Sequence, residues 1–379
     1  MGGLTTAVGL AANGCRVRVL EAAPELREVG AGVTLGPNAT RVLTVGGVLA
    51  EVAATASRPA QQVVQAWDGR VLLSAEPNAD ADDTGYLQVH RADLQQALAR
   101  ALERLAPGAL QLGCMVKHCE PDDVQPTLVL ADGEKVSADI VIGADGVHST
   151  LRRALFSEDA PEFTGFVAYR GLVPRDHLPA LDSPAPSGLT IGPGRSFLRY
   201  LIRRGDILNY VAFVNTTQWE QEGWSVACER SELEDHFRGA HADVQRVLEA
   251  TPGSMLHKWG LFSRPALASW TRGRVTLLGD AAHPMLPFLG QGASMAMEDG
   301  CVIARAIAGA GTPDDALRSY EELRVTRANA VAAASSARAE AIHSGDPAAY
   351  SRHVAKPGVA SRQELFDYDA TQVPLDSAA

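Results

Sequence analysis

Basic residues are in short supply: Lys and Arg number 34 against 45 Asp and Glu, a net charge of −11. That deficit argues against a nucleic-acid binder and against electrostatic adhesion to an anionic membrane. Cysteine is scarce too. The five residues Cys15, Cys114, Cys119, Cys228 and Cys301 are odd in number and lack CxxC spacing. They read as reduced, buried, structural thiols rather than a disulfide scaffold or a zinc site. No apolar run reaches the length of a membrane span and no signal-peptide pattern opens the chain, so a cytoplasmic location is expected. No repeat is visible, and His236 and His241 lack helical metal-ligand spacing, so no metal is expected.

What is present is a chain of 379 residues, 46% hydrophobic, enough for two or so domains with an ample core. Its most informative stretch runs from Arg274 to Ala293. Val275 to Leu278 suits a buried strand, Gly279 lets the backbone turn, and Asp280 emerges at the strand's end, where a carboxylate accepts from hydroxyls. Gly290-Gln291-Gly292 then precedes a helical stretch from about Ala293 to Gly309. Free N–H groups and the positive end of the helix dipole would meet negative charge there.

Two further blocks have the same character. Ala138 to Arg153 reads as a strand, a Gly-Ala-Asp-Gly turn containing Asp145, and a basic helix start. At the amino terminus, Gly2-Gly3-Leu4 opens a helical pattern, and Arg16 to Glu21 is a strand ending in an acid. Glu21 stands where a dinucleotide fold places the carboxylate that binds a ribose hydroxyl. The first strand and the first two glycines of G-x-G-x-x-G are missing. Either the start is misplaced, a valine codon having been read as an initiator, or the chain is truncated. The cost of leaving a central parallel strand unpaired favours the misplaced start.

These blocks resemble the flavin-dependent aromatic hydroxylases, the class A flavoprotein monooxygenases of the salicylate hydroxylase and 3-hydroxybenzoate 6-hydroxylase kind, over nearly the whole chain from Gly2 to Ala370. The resemblance implies an α/β fold. Its parts are a Rossmann-like FAD-binding domain of the para-hydroxybenzoate hydroxylase type, an inserted, mainly antiparallel β-sheet substrate domain, and a C-terminal helix. It implies that Asp280 binds the ribityl chain and that Gly290, Gln291, Gly292 and Ala293 cradle the pyrimidine edge of the isoalloxazine. Gly3 and Asp145 would lie at the pyrophosphate region, with Arg152 bracing the fold. Backbone at Gly32 and Val33 would run beside the ring, Arg41 would point into the active-site face, and backbone near Val116 would hold adenine. The segment from His90 matches the family's H-R-x-x-L, whose Arg reaches FAD. That role falls on Arg91, a cation at a helix start that the dipole disfavours unless an anion is near. Pro287 would line the pocket, Gln291 would touch flavin or substrate, and Tyr200 would line the substrate strand. In that strand the family commonly has His where this chain has Ser196, and Pro where it has Leu201. His283, followed by Pro284, reads as structural.

Elsewhere, Gly30 to Leu43 suggests a turn, a short strand and a helix opened by Pro37 or Asn38. Val89 to Leu102 suggests an amphipathic helix, and Leu110 to Val116 and Thr127 to Leu130 suggest strands, with Asp132-Gly133 as a hairpin turn. From about Phe163 to Leu261 β-rich runs dominate, with a tight hairpin at Arg204-Gly205-Asp206, and a long helix follows Pro313 to about His343. The expected division is a discontinuous FAD-binding domain (1–58, 85–162, 262–312), a substrate sheet domain (59–84, 163–261) and a C-terminal helix and tail (313–379). The function implied is hydroxylation of a small phenolic or N-heteroaromatic acid with NADH or NADPH and O₂ through a flavin C4a-hydroperoxide, the protein being a monomer or homodimer. Alternatives are a reductase or halogenase on the same fold, a natural-product tailoring hydroxylase or epoxidase, and an inactive truncated homologue.

Overall fold

The computed structural model describes residues 1–26, 31–79, 84–178, 180–217, 219, 226–356 and 361–375; Gly30 lies outside them. The β-rich middle of the chain builds one eight-stranded sheet in the order Val226–Ala227, His257–Ser263, Glu162–Pro174, Ile207–Asn215, Arg195–Ile202, Ser187–Gly192, Gln62–Ala66, Val71–Ala75. All pairs are antiparallel except Ser187–Gly192 with Gln62–Ala66. Side-chain alternation gives the sheet two faces. Tyr169, Phe197 and Tyr210 point outward, under Leu233 and Phe237 of one helical stretch and Val244 and Val247 of the next. The other face carries Ala168, Phe213 and Leu261, packed on Leu286 and on Ala339 of the long helix.

The α/β flanks form the second layer, whose core includes Leu4, Val8, Leu94, Leu98, Val275, Leu277, Val302 and Tyr320. Its parallel sheet is in two pieces. Val19–Glu21 pairs with Leu110–Leu112, and Val141–Gly143 pairs with Val275–Leu277. No ladder among the described residues joins them.

The long helix Pro313–His343 starts under a Thr312 cap on the Asp315 N–H and links the layers. Leu317 and Tyr320 pack in the α/β core, and Ala339 packs on the large sheet. Several boundaries differ from the sequence expectation. The helix begins at Arg91 and runs to Leu105, because Val89 and His90 belong to a strand, Leu87–His90, paired with Gly32–Leu35. The stretch Leu110 to Val116 is not one strand. Gly113 breaks it at a positive φ of 71°, and Val116–Glu120 starts a separate antiparallel sheet. Only Val19–Glu21 of the amino-terminal run is a strand, and Pro37 opens a single α-helical turn that ends at Thr40. Cys119 and Cys301 are buried as expected, whereas Cys15, Cys114 and Cys228 are only half-buried.

Candidate active site

Strand Val275–Leu277 is buried throughout, so the chain reaches the surface only after it, where Gly279 turns and leaves Asp280 exposed. The Asp280 carboxylate has no protein partner among the described residues. Further along the chain, Pro287–Leu289 forms a short 3-10 turn ending at Gly290 in the left-handed region (φ 65°). A side chain at Gly290 would be strained, and its Cβ would lie 2.9 Å from Thr34 Oγ1, so glycine brings this turn against the strand Gly32–Leu35. Helix Gly292–Gly309 starts immediately after. Its first bond runs from Met295 N to Gln291 O, so the N–H groups of Gly292, Ala293 and Ser294 have no intrahelical acceptor. Glycine turn, helix terminus and exposed carboxylate together suit a ligand with hydroxyls and an electron-accepting edge.

The Gly-Ala-Asp-Gly turn is tied to this segment by Arg152. Its fully buried guanidinium donates to the carbonyls of Ala281 (3.3 Å), Ala282 (2.9 Å) and Pro265 (2.6 Å). Burial, with Arg264 nearby, pulls it down to about 10. Asp145 is engaged locally. Its carboxylate accepts from Ser149 Oγ (2.5 Å) and from the N–H groups of Thr150 and Leu151, holding the start of helix Thr150–Leu155. Gly3 lies against the same turn, a Cβ there being 3.1 Å from Ala144 Cβ.

The inner face of the large sheet closes over these turns. Asn209 Oδ1 accepts from Gly32 N at 2.8 Å, and a Cβ on Gly32 would come 2.5 Å from the Tyr200 ring and 2.7 Å from its hydroxyl. Only glycine permits that contact. Tyr200 is 3% exposed, and burial pushes its phenol well up, with Arg170 acting in the opposite sense. Arg170 projects from the same face, its guanidinium carbon 4.4 Å above the Trp259 ring. Cross-strand register puts Arg170 opposite Val211, and Val211 opposite Leu198, one row from the Asn209–Tyr200 pair. Phe288, next to Pro287, packs on Phe213 and Phe166 at ring separations of 4.8 and 5.3 Å. The exposed Pro287 and the half-buried Phe288 thus edge the space between sheet and glycine turn.

Other expected ligands have different surroundings. Arg41 Nη1 donates to the carbonyls of Phe366 (2.7 Å) and Tyr368 (3.2 Å) in the returning tail. Arg91 is exposed at the first position of its helix, Val33 is half-buried in its strand, and Val116 opens the separate small sheet. Glu21 ends its strand, and its Oε1 accepts from Ala23 N at 2.9 Å.

Sequence reasoning missed Arg170 and a buried charge cluster beneath the glycine turn. Asp299 takes His283 Nε2 at 2.5 Å and Arg324 Nε at 2.8 Å, all three being almost fully buried. Burial pushes Asp299 up, but His283 and then Arg324 outweigh it and bring the carboxyl down to about 2. His283 is therefore a structural partner of Asp299. Glu298 is held by Arg327 (2.8 and 3.0 Å) and Arg324 (2.7 Å). A separate cavity of about 220 Å³, lined by Thr5, Val8, Leu43, Leu98 and Cys301, lies between the first helix and helix Gly292–Gly309 and contains none of the expected ligands.

Where the family pattern has a histidine, Ser196 donates to an imidazole from elsewhere: His343 Nε2 lies 3.0 Å from Ser196 Oγ and Nδ1 2.7 Å from Ala339 O. Phe166 and Phe288 flank that ring at 4.8 and 5.1 Å. Burial lowers its pKa to about 4, partly opposed by the Ala339 carbonyl. A histidine kept neutral in the fold contributes stability above the unfolded value near 6.5, and that contribution is lost as pH falls toward 4. Urea unfolding at pH 7 and pH 5 should show about 2 kcal/mol less stability at pH 5, and His343→Gln should remove most of that difference. An unchanged slope in the variant would place the acid sensitivity elsewhere.

Over residues 1–335 the chain matches the FAD binding domain family, and it belongs to that family. It is an FAD-dependent monooxygenase of the flavoprotein hydroxylase class. It is 37% identical over 351 residues to the 3-amino-4-hydroxybenzoate 2-monooxygenase PtnB3 of Streptomyces platensis, covering 91% of this chain and 87% of that one. It is 35% identical over 342 residues to the 6-hydroxynicotinate 3-monooxygenase of Bordetella bronchiseptica, covering 87% of each. A solved salicylate hydroxylase substrate complex superposes with a TM-score of 0.80 at 26% identity, covering 97% of this chain and 93% of that one. Among the described residues, no helix is long and apolar enough to cross a membrane.

Proposed function

We propose that this protein hydroxylates a small aromatic acid, a phenolic or N-heteroaromatic carboxylate, on an FAD held between the glycine turn and the inner face of the large sheet. The observation that carries the reading is Arg170, a cation stacked on Trp259 within an otherwise largely apolar inner face, in the row beside Tyr200. A guanidinium so placed suits a carboxylate, and the Phe288 and Trp259 rings suit an aromatic ring. The printed activities of the two relatives, on an aminohydroxybenzoate and a hydroxynicotinate, support the same class.

The residues fit the cofactor on its flavin side. Asp280 would hold ribityl hydroxyls, and the free N–H groups from Gly292 onward, with Gly290, Gln291 and Ala293, would face the pyrimidine edge. Backbone at Gly32 and Val33 would flank the ring. Gly3 and Asp145 would approach the pyrophosphate, with Glu21 at the ribose, Arg91 alongside, and Val116 near adenine. When bound and reduced by NADH or NADPH, FAD supplies the activation of O₂ that no side chain provides. The chain's own part is to orient the ring, exclude water with Phe288, Phe213 and Trp259, and offer the Tyr200 hydroxyl to the substrate. The helix terminus favours negative charge on the reduced ring system. Residues 59–84 and 163–261 would then serve as the substrate domain, on a cytoplasmic monomer or homodimer whose net charge of −11 disfavours nucleic acid.

The test compares substrate-stimulated NAD(P)H oxidation and product formation for hydroxylated benzoates and nicotinates with those for their primary amides. The acids should be turned over in preference, and Arg170→Gln should raise KM for acids about tenfold with a smaller change in kcat and erase the preference over amides. An Arg170→Gln enzyme that still selects acids would contradict the assignment. Acceptance of only larger, uncharged rings would favour a tailoring role.

A further inference from the structure

Two side-chain amides beneath the glycine turn have their orientations dictated by a buried carboxylate. Glu298 is gripped on both oxygens by Arg327 at 2.8 and 3.0 Å and approached by Arg324 at 2.7 Å, so both of its oxygens face donors and serve as acceptors. The Asn38 atom 2.7 Å from Glu298 Oε1 must therefore be the amide nitrogen. The second hydrogen of that nitrogen is directed at Gln291, 3.0 Å away, so the Gln291 atom facing Asn38 must be its oxygen. The opposite end of Gln291, its NH₂, is thereby turned away from the network. Asn38 Oδ1 is left buried without a partner, a cost the local structure accepts only because the alternative sets an oxygen against the Glu298 carboxylate. Asn38 and Glu298 are fully buried and Gln291 is 4% exposed, so water cannot reset these choices.

We propose that Asn38 and Glu298 are positioning residues that hold the Gln291 amide with its NH₂ toward the ligand bound at the glycine turn, so that the turn selects a hydrogen-bond acceptor there. That acceptor is a carbonyl oxygen or an unprotonated ring nitrogen, carried either by the flavin's pyrimidine edge or by the aromatic substrate. The inference rests on the cofactor placement proposed above and deepens it. It assigns a role to Asn38, the second residue of the short turn Pro37–Thr40, and to Glu298, seven residues into the flavin-turn helix, neither of which reaches the ligand itself.

The experiment is a double-mutant cycle on the FAD-loaded protein with Asn38→Leu, Gln291→Ala and the pair. FAD dissociation, aromatic-acid dissociation and the visible flavin spectrum are measured, with thermal melting to confirm folding. Asn38→Leu spares both arginine partners of Glu298 and removes only the relay. It should weaken one ligand about three- to tenfold, Gln291→Ala should weaken the same ligand, and the double variant should be no worse than Gln291→Ala. Loss confined to FAD with a shifted spectrum assigns the acceptor to the flavin, and loss confined to the aromatic acid assigns it to the substrate. Gln291→Glu gives an independent reading should Asn38→Leu fail to fold. It keeps an oxygen for Asn38 but replaces the outward NH₂ by an acceptor, and it should weaken the ligand as much as Gln291→Ala. Wild-type binding by Gln291→Glu, a silent Asn38→Leu beside an effective Gln291→Ala, or additive losses in the double variant would each overturn the inference. If Gln291→Ala is itself silent for both ligands, the cofactor placement fails and takes the inference with it.

Discussion

Arg324→Met should lower folding stability by about 3–5 kcal/mol, the cost of stripping a buried cation from carboxylates that remain. Arg324 is fully buried and sits within 2.8 Å of Asp299 and 2.7 Å of Glu298. Methionine fills much of the volume, so the loss reports charge rather than a cavity. Asp299 would keep His283 and the Gly279 N–H, and Glu298 would keep Arg327 and the Asn38 amide, each carboxylate losing one cationic partner. The same cluster predicts an acid limit. Asp299 is held down to about 2 in the fold. A depressed carboxyl contributes stability that is complete above the unfolded value near 3.9 and is lost as pH falls through the folded one, so about 2 kcal/mol should disappear between pH 4 and 2. Chemical denaturation of both proteins at pH 7, and of the wild type across that window, checks both statements. A loss under 1 kcal/mol for Arg324→Met would mean the cluster is not a mutually dependent unit.

Asp280→Ala should behave in the opposite way, leaving the protein without ligand as stable as before and weakening FAD about a hundredfold. The carboxylate is exposed at a strand end and has no protein partner among the described residues. Its removal therefore breaks no internal bond, and stability should change by less than about 0.5 kcal/mol. Charge-assisted bonds to cofactor hydroxyls are worth about 1.5–3 kcal/mol, which sets the size of the binding loss. Equilibrium FAD titration followed by flavin fluorescence measures it, and unaltered affinity would remove Asp280 from the ligand set.

The parts of this architecture legible in sequence are those whose cause is local. Strand, glycine turn and helix follow one another between Val275 and Gly309, so β-branched residues, Gly279, Gly290 and the helix start declare themselves within a short window. Arg152 belongs to a motif as well, although its grip on Ala281 and Ala282 spans the gap between two motifs. What stayed hidden depends on register or on distant chain. Arg170 acquires its place only once Glu162–Pro174 is paired in register with Ile207–Asn215 and His257–Ser263. Asn38 meets Glu298 across a sequence separation of 260 residues, and nothing near either position signals the other. The partners of Arg41 were hidden for the same reason. Its helix position says nothing of the tail carbonyls that return to it from residues 366 and 368. The histidine question is similar, since the imidazole beside Ser196 comes from His343, at the far end of the long helix.

The central claim is that turns around Asp280 and Gly290 and the inner face of the large sheet together hold one flavin against an aromatic-acid pocket. Its most direct test is the visible absorption spectrum of the protein saturated with FAD, recorded before and after addition of hydroxylated benzoates and nicotinates. The account predicts equimolar bound flavin whose bands shift on adding at least one of these acids, with the acid concentration for half the shift raised about tenfold in Arg170→Gln. A protein that binds no FAD, or binds it with a spectrum indifferent to every acid, would contradict it.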